Sequence, residues 1–140
     1  MYTKILVAIE NSAADHAVLA HIESLAKLTG ARLVLVHVAD GFAARHFDDL
    51  KLRESEEIRD DRAYLARLCE EIEGRGVPCA ARLAMGDPAT ELVKVTADEG
   101  VDLIAMSTHG HRFLQDLLRG STADRVRHGV TVPVLMVRAK

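Results

Sequence analysis

Nine residues separate Gly110 from Gly120-Ser121-Thr122, and this spacing of small residues has the makings of an anion site. Ser121 followed three residues later by Asp124 is the pattern of a helix N-terminus. The backbone N–H groups of Ser121 and Thr122 would then be unpaired donors where the helix dipole favours negative charge. A glycine on either side removes the Cβ that would hold a phosphate oxygen off the main chain, and the Ser121 and Thr122 hydroxyls add donors. Between the glycines, Phe113 to Leu118 can form a short helix. The same glycines could simply end a strand and a helix, with Ser121 an ordinary N-cap, and spacing alone leaves both readings open. Neither GxxxxGK[ST] nor a GxGxxG after the first strand occurs, so both standard nucleotide fingerprints are absent.

Other chemistry is hard to assemble. His109 and His111 flank Gly110, but they are two apart and follow the fourth strand, unlike the HxGH element of nucleotidylyltransferases. The histidines at 16, 21, 37, 46, 109, 111 and 128 are scattered, and no metal site emerges from their spacing. No Ser-His-Asp, Cys-His or GxSxG arrangement and no carboxylate pair near the glycines can be assigned, so no catalytic residue is named. At most, slow hydrolysis of a bound nucleotide is expected. The net charge of −3 argues against a nucleic-acid partner, which needs a basic patch. Cys69 and Cys79 have neither CxxC nor metal-ligand spacing and read as free thiols of a reducing compartment. Neither an export signal nor a run of 18 apolar residues is found, so the expectation is a cytoplasmic chain that does not enter a membrane.

Any such loop needs strands and helices to hold it. With 140 residues, 49% hydrophobic and 4% aromatic, the chain suits one domain over 1–140 with a core of Val, Leu, Ile and Ala. Ile5 to Ile9 and Leu33 to Val38 are continuous apolar runs, the mark of strands covered on both faces. Between them, Ser12 with Asp15 resembles a capping box, and Val18, Ile22, Leu25 and Ala26 recur at helical spacing up to Gly30. Residues 41–57 read as an irregular, solvated connection with an uncertain helix start. Ile58, Leu65, Leu68, Cys69 and Ile72 then mark one face of a long helix. Val77 to Met85 is a third strand, and Asp87-Pro88 opens a helix ending at Gly100. Val101 to Met106 and Val132 to Val137 are the fourth and fifth strands, with a last helix running to His128. Such a series specifies an open five-stranded parallel sheet with helices on both faces. In the order 3-2-1-4-5, the loops after Ile9 and Met106 meet where the winding reverses, which is where ligands bind in such sheets.

The run Met106-Ser107-Thr108-His109-Gly110, nine residues, Gly120-Ser121 and then Val132-Pro133-Val134-Leu135-Met136-Val137-Arg138 resembles the C-terminal signature of the universal stress protein family. Lys4 to Ser12 resembles that family's opening strand and turn, and Val34 to Val38 its second strand. The resemblance covers all but about residues 41–57. It implies an adenine nucleotide alpha hydrolase-like fold, a stress-linked role in the cytoplasm, and a homodimer through Val134, Leu135, Met136 and Val137. It also implies, in the ATP-binding branch that this chain looks nearer to, ATP or a related adenine nucleotide with Mg²⁺ or Mn²⁺ carried by its phosphates. The implied nucleotide set is Ala8, Ile9, Glu10, Val38, Met106, Ser107, Gly110, Gly120, Ser121 and Thr122. Ala8 and Met106 would wall base and sugar, and Val38 would offer backbone groups to adenine. Two positions depart from the pattern. Ser107 stands where that branch has its first glycine, which strains the backbone if φ is positive and is harmless if φ is negative. Glu10 stands where Asp is usual, and could accept from the adenine amino group or face solvent. The alternative is a nucleotide-free stress protein acting through dimerisation and protein contacts.

Overall fold

The computed structural model describes residues 1–39, 48–108 and 122–139, with backbone alone over 48–55. In chain order the elements are β1 (Lys4–Ala8), α1 (Ala14–Thr29), β2 (Arg32–Ala39), α2 (Asp48–Gly74), β3 (Cys79–Met85), α3 (Pro88–Glu99), β4 (Leu103–Thr108), α4 (Thr122–Gly129) and β5 (Val134–Arg138). All strand pairs are parallel and the order is β3-β2-β1-β4-β5, the expected one.

Strand alternation sends successive side chains to opposite faces, and both faces are dry here. Ile5 and Val7 join Leu33, Leu35, Leu103 and Ala105 under Val18 and Ile22 of α1 and Leu65, Leu68 and Ile72 of α2. Leu6, Val34, Val36, Ile104 and Met106 pack instead with Leu92 and Val95 of α3 and Val126 of α4. The chain thus winds outward from β1 through α1 and α2, then crosses to the other side of β1 through α3 and α4. The winding reverses between β1 and β4. No helix among the described residues is long and apolar enough to cross a membrane.

Several boundaries differ from expectation. The segment 41–57 is not irregular throughout, because α2 already begins at Asp48. Its first turns are rich in Leu, Lys, Arg and Glu, which favour helix, but the many charges blur the apolar period that would reveal it. β4 runs on through Ser107 and Thr108 because β5 pairs with both, as Ser107 with Val137 and Thr108 with Arg138. β3 and β5 start two residues later than expected. Pro78 and Pro133 sit just ahead of them and contribute carbonyls to Leu33 N–H and Ile104 N–H, at 2.8 and 3.0 Å.

The turn from β1 into α1 is organised by one carboxylate. Asp15 is fully buried and accepts from the backbone N–H groups of Glu10 (2.9 Å), Asn11 (2.9 Å) and Ser12 (3.1 Å). The Tyr64 hydroxyl of α2 donates to it as well, at 2.8 Å. Asp15 reaches back as in a capping box, but over three N–H groups, and the Ser12 hydroxyl takes Ala14 N–H at 3.3 Å instead of that of Asp15. Asn11 has φ +63°, a left-handed conformation that Asn tolerates better than most residues. Burial and the bond to Asp15 push the Tyr64 phenol well above its ordinary range.

On the other face, Asp87 caps α3 as expected, accepting from Thr90 N–H at 3.0 Å and from its hydroxyl at 2.7 Å. Arg125 of α4 donates to both Asp87 oxygens, at 3.0 and 2.7 Å. The Arg125 guanidinium, then Thr90, hold this carboxyl well below the usual carboxylate range. At the far end of α4, a Cβ on Gly129 would come within 2.9 Å of a Val93 methyl, so α4 lies against α3 from the Asp87 cap to Val93.

Two stability predictions follow from these contacts. Asp15→Ala should lower the free energy of unfolding by about 3 kcal/mol and Tyr64→Phe by about 1 kcal/mol, since bonds to a charged acceptor are the stronger class and their loss strands donors. Urea denaturation checks both, and an Asp15→Ala loss no larger than that of Tyr64→Phe would contradict the turn's dependence on it. Asp87→Ala should cost about 1 kcal/mol at neutral pH through loss of a cap. Because the folded carboxyl is depressed, its contribution is complete above the ordinary Asp value of about 3.9 and is lost as pH falls through the folded value. Melting curves of wild type and variant should therefore converge below about pH 4.

Candidate functional site

The central strand is shorter than both of its neighbours. β1 makes its last pairs as Ala8 with Val36 and Val7 with Ala105, whereas β2 continues to Ala39 and β4 to Thr108. The turn gathered by Asp15 takes the chain away after Ile9. A notch is left above the end of β1, between two longer neighbours and at the switch in winding. It is a cleft of about 230 Å³ lined by Ala8, Ile9, Glu10, Val36, His37, Val38, Pro88, Leu92, Met106, Ser107, Thr108, Thr122, Ala123 and Met136. Ala8, Val36, Val38, Leu92 and Met106 extend the α3–α4 core to its surface. The result is an apolar slot whose polar groups gather at the ends of strands and at the start of α4.

Each polar group is placed by a neighbour. Ile9 donates its N–H to the Val36 carbonyl at 2.8 Å, and its own carbonyl lies 2.7 Å from His37 Nδ1. A carbonyl only accepts, so the ring donates there. His37 Nε2 is 3.2 Å from the Asp61 carboxylate of α2, which also accepts from the Asn11 side chain at 2.9 Å. The Ser12 hydroxyl donates to Glu10 at 3.3 Å. Thr122 is the first residue of α4 and lies against the cleft, so its N–H is among those without an intrahelical acceptor. Ser107 is 7% exposed, and among the described residues its buried hydroxyl has no hydrogen-bond partner. An orphaned hydroxyl of this kind costs stability. Ser107 is not among the described residues with positive φ, so serine carries no backbone strain there.

Seven residues expected from sequence, Ala8, Ile9, Glu10, Val38, Met106, Ser107 and Thr122, line this one cleft. Gly110, Gly120 and Ser121 lie outside the described residues, as do His109, His111 and the segment from Phe113 to Leu118. Met136, expected on the outer strand as a dimer contact, also reaches the cleft. Sequence reasoning missed His37, Pro88 and Leu92. His37 could have been noticed as a polar residue inside an otherwise apolar strand, whereas Pro88 and Leu92 carried only helix signals. Among the described residues no three His, Cys, Asp or Glu side chains come together as a metal site.

Comparison with known proteins gives the same architecture. The universal stress protein MJ0577 of Methanocaldococcus jannaschii is 28% identical over the whole of this chain and 97% of its own length. The solved structure of MJ0577 superposes with a TM-score of 0.84, covering 100% of this chain and 98% of that one. A universal stress protein of Archaeoglobus fulgidus solved in complex with dAMP has a TM-score of 0.71 at 22% identity, over 97% of this chain and 98% of its own. Another universal stress protein, solved in complex with cAMP, has a TM-score of 0.74 at 18% identity over 98% and 97%. The family model for universal stress proteins matches residues 1–138, and with this fold shared over nearly the whole length of the relatives the chain belongs to the universal stress protein family.

Proposed function

We propose that this protein binds ATP or a related adenine nucleotide in the notch above β1, as a regulatory ligand in a cytoplasmic stress response. The observation that carries the reading is the convergence of Ala8, Ile9, Glu10, Val38, Met106, Ser107 and Thr122 on one apolar slot that ends at a helix start. The residues suit such a ligand. Ala8, Val38 and Met106 would flank a flat base, and the Glu10 carboxylate would accept from its exocyclic amino group. The orphaned Ser107 hydroxyl would gain a partner from the sugar or phosphate side. Thr122 N–H, with Gly110, Gly120 and Ser121, would face the phosphates at the positive end of α4. Mg²⁺ or Mn²⁺ would arrive with the phosphates and neutralise their charge. Relatives solved with dAMP and cAMP support the same class of ligand.

The proposal extends to the outer strand. Among the described residues β5 ends the sheet order and pairs with β4 alone, so one of its edges offers backbone groups to a further strand. A second copy pairing through Val134, Leu135, Met136 and Val137 would close that edge.

Calorimetric titration with ATP and Mg²⁺ should show saturable binding, and none at millimolar nucleotide would refute the reading. Glu10→Ala should weaken ATP about tenfold, the worth of one charge-assisted hydrogen bond. It should leave inosine triphosphate, which lacks the amino group, unchanged, and equal loss for both nucleotides would remove Glu10 from the base contact. Light scattering on the full chain should give twice the monomer mass. A monomer at tens of micromolar would refute pairing through β5.

A further inference from the structure

Two thiols outside the cleft face each other in the core between α2 and β3. Cys69 Sγ lies 3.0 Å from Cys79 Sγ, and both residues are buried among Leu65, Leu68, Ile72 and Val77. A disulfide bond is about 2.05 Å long, so the sulfurs are roughly 1 Å from bonding distance. Their approach is built in. The turn that joins the two elements is tied back onto the end of α2 by Arg75 N–H to the Ile72 carbonyl (3.0 Å), Gly76 N–H to Glu73 (3.0 Å) and Val77 N–H to Ile72 (3.3 Å). Gly76 takes φ +94°, the conformation that lets so short a turn return the chain to the sheet.

We infer that Cys69 and Cys79 form a redox-active pair, closed to a disulfide by a peroxide and reopened by a thiol reductant. In the first step the Cys69 thiolate attacks a peroxide oxygen. An S–O bond forms as the O–O bond breaks, and with hydrogen peroxide the departing oxygen leaves as water. In the second step the Cys79 sulfur attacks the Cys69 sulfenic acid. The S–S bond forms, the S–O bond breaks, and the leaving hydroxide takes the second thiol proton to become water. Two electrons pass from the thiols to the peroxide, giving one disulfide and two waters. Either sulfur can donate in the S–H···S contact; we take Cys79 as donor, the arrangement in which the contact stabilises the Cys69 thiolate and leaves Cys69 to attack first. Burial raises both thiols, so closure is slow, and the same burial slows, without preventing, reopening by an outside thiol.

The test uses the full chain, folded, treated with hydrogen peroxide and then alkylated with N-ethylmaleimide before mass spectrometry. The expected product has lost two hydrogens, carries no alkyl group, and on digestion yields one fragment joining Cys69 to Cys79 within a single chain. Dithiothreitol should restore two alkylatable thiols. Two alkylated thiols after peroxide, sulfinic or sulfonic acid without the cross-link, or a cross-link between chains would each overturn the proposal. In Cys79→Ala, dimedone should trap a sulfenic acid on Cys69, and absence of the adduct would reject Cys69 as the first nucleophile. Oxidation should raise the melting temperature of wild type but not of Cys69→Ala. Equal shifts in the two would place the effect elsewhere.

Discussion

The buried carboxylate of Asp15 is the contact on which the functional end of the molecule depends. Three successive N–H groups, those of Glu10, Asn11 and Ser12, converge on it. This is how the chain leaves a central strand that is walled by β2 and β4 without stranding its donors. The consequence is geometric. β1 stops while its neighbours continue, and the notch exists because it stops. The same carboxylate accepts the Tyr64 hydroxyl, so the turn is held from α2 as well as from α1. Asp15 has no exposed surface, yet it does more to shape the cleft than most residues that line it.

A parallel sheet buried on both faces has no polar surface of its own to offer a ligand. Recognition must come from strand ends, helix starts and the few side chains that project there. The cleft follows this logic closely. Its walls are continuations of the core, and its polar groups are those that the architecture cannot satisfy internally, such as the first N–H groups of α4. His37 shows how costly stray polarity is avoided: its ring lies within reach of the Ile9 carbonyl on one side and the Asp61 carboxylate on the other. Among the described residues the Ser107 hydroxyl is the exception, buried and without a partner.

Much of this could be read in the residues alone. The apolar runs at Ile5 to Ile9 and Leu33 to Val38 announce strands covered on both sides, and their alternation with helices announces a parallel sheet, though not by itself the order of its strands. Asp87-Pro88 marked a helix start with the right mechanism. Asp15 was visible only as half of a local capping pair, because nothing in a sequence says that one carboxylate will collect three N–H groups and a tyrosine 49 residues away. The start of α2 was hidden by its own charges, since a helix with little apolar face over its first turns has no period to detect. Ser107 was assigned to a loop because its strand character comes from pairing with β5, a contact between segments far apart in sequence. What local chemistry sets was legible, and what long-range pairing sets was not.

α2 draws these observations together. Asp61 and Tyr64 reach the turn beside the cleft, and Cys69 and Ile72, two turns further on, are fixed against β3. A helix backbone transmits position along its axis with little loss, because its hydrogen bonds resist bending. Its seating on β3 therefore sets where Asp61 and Tyr64 stand, and through them the turn that bounds the notch. β3 lies at the sheet edge, farthest from the winding switch, so this outer strand contributes to the geometry of the cleft without lining it. The contact between α2 and β3 is accordingly a structural support of the site as well as part of the core.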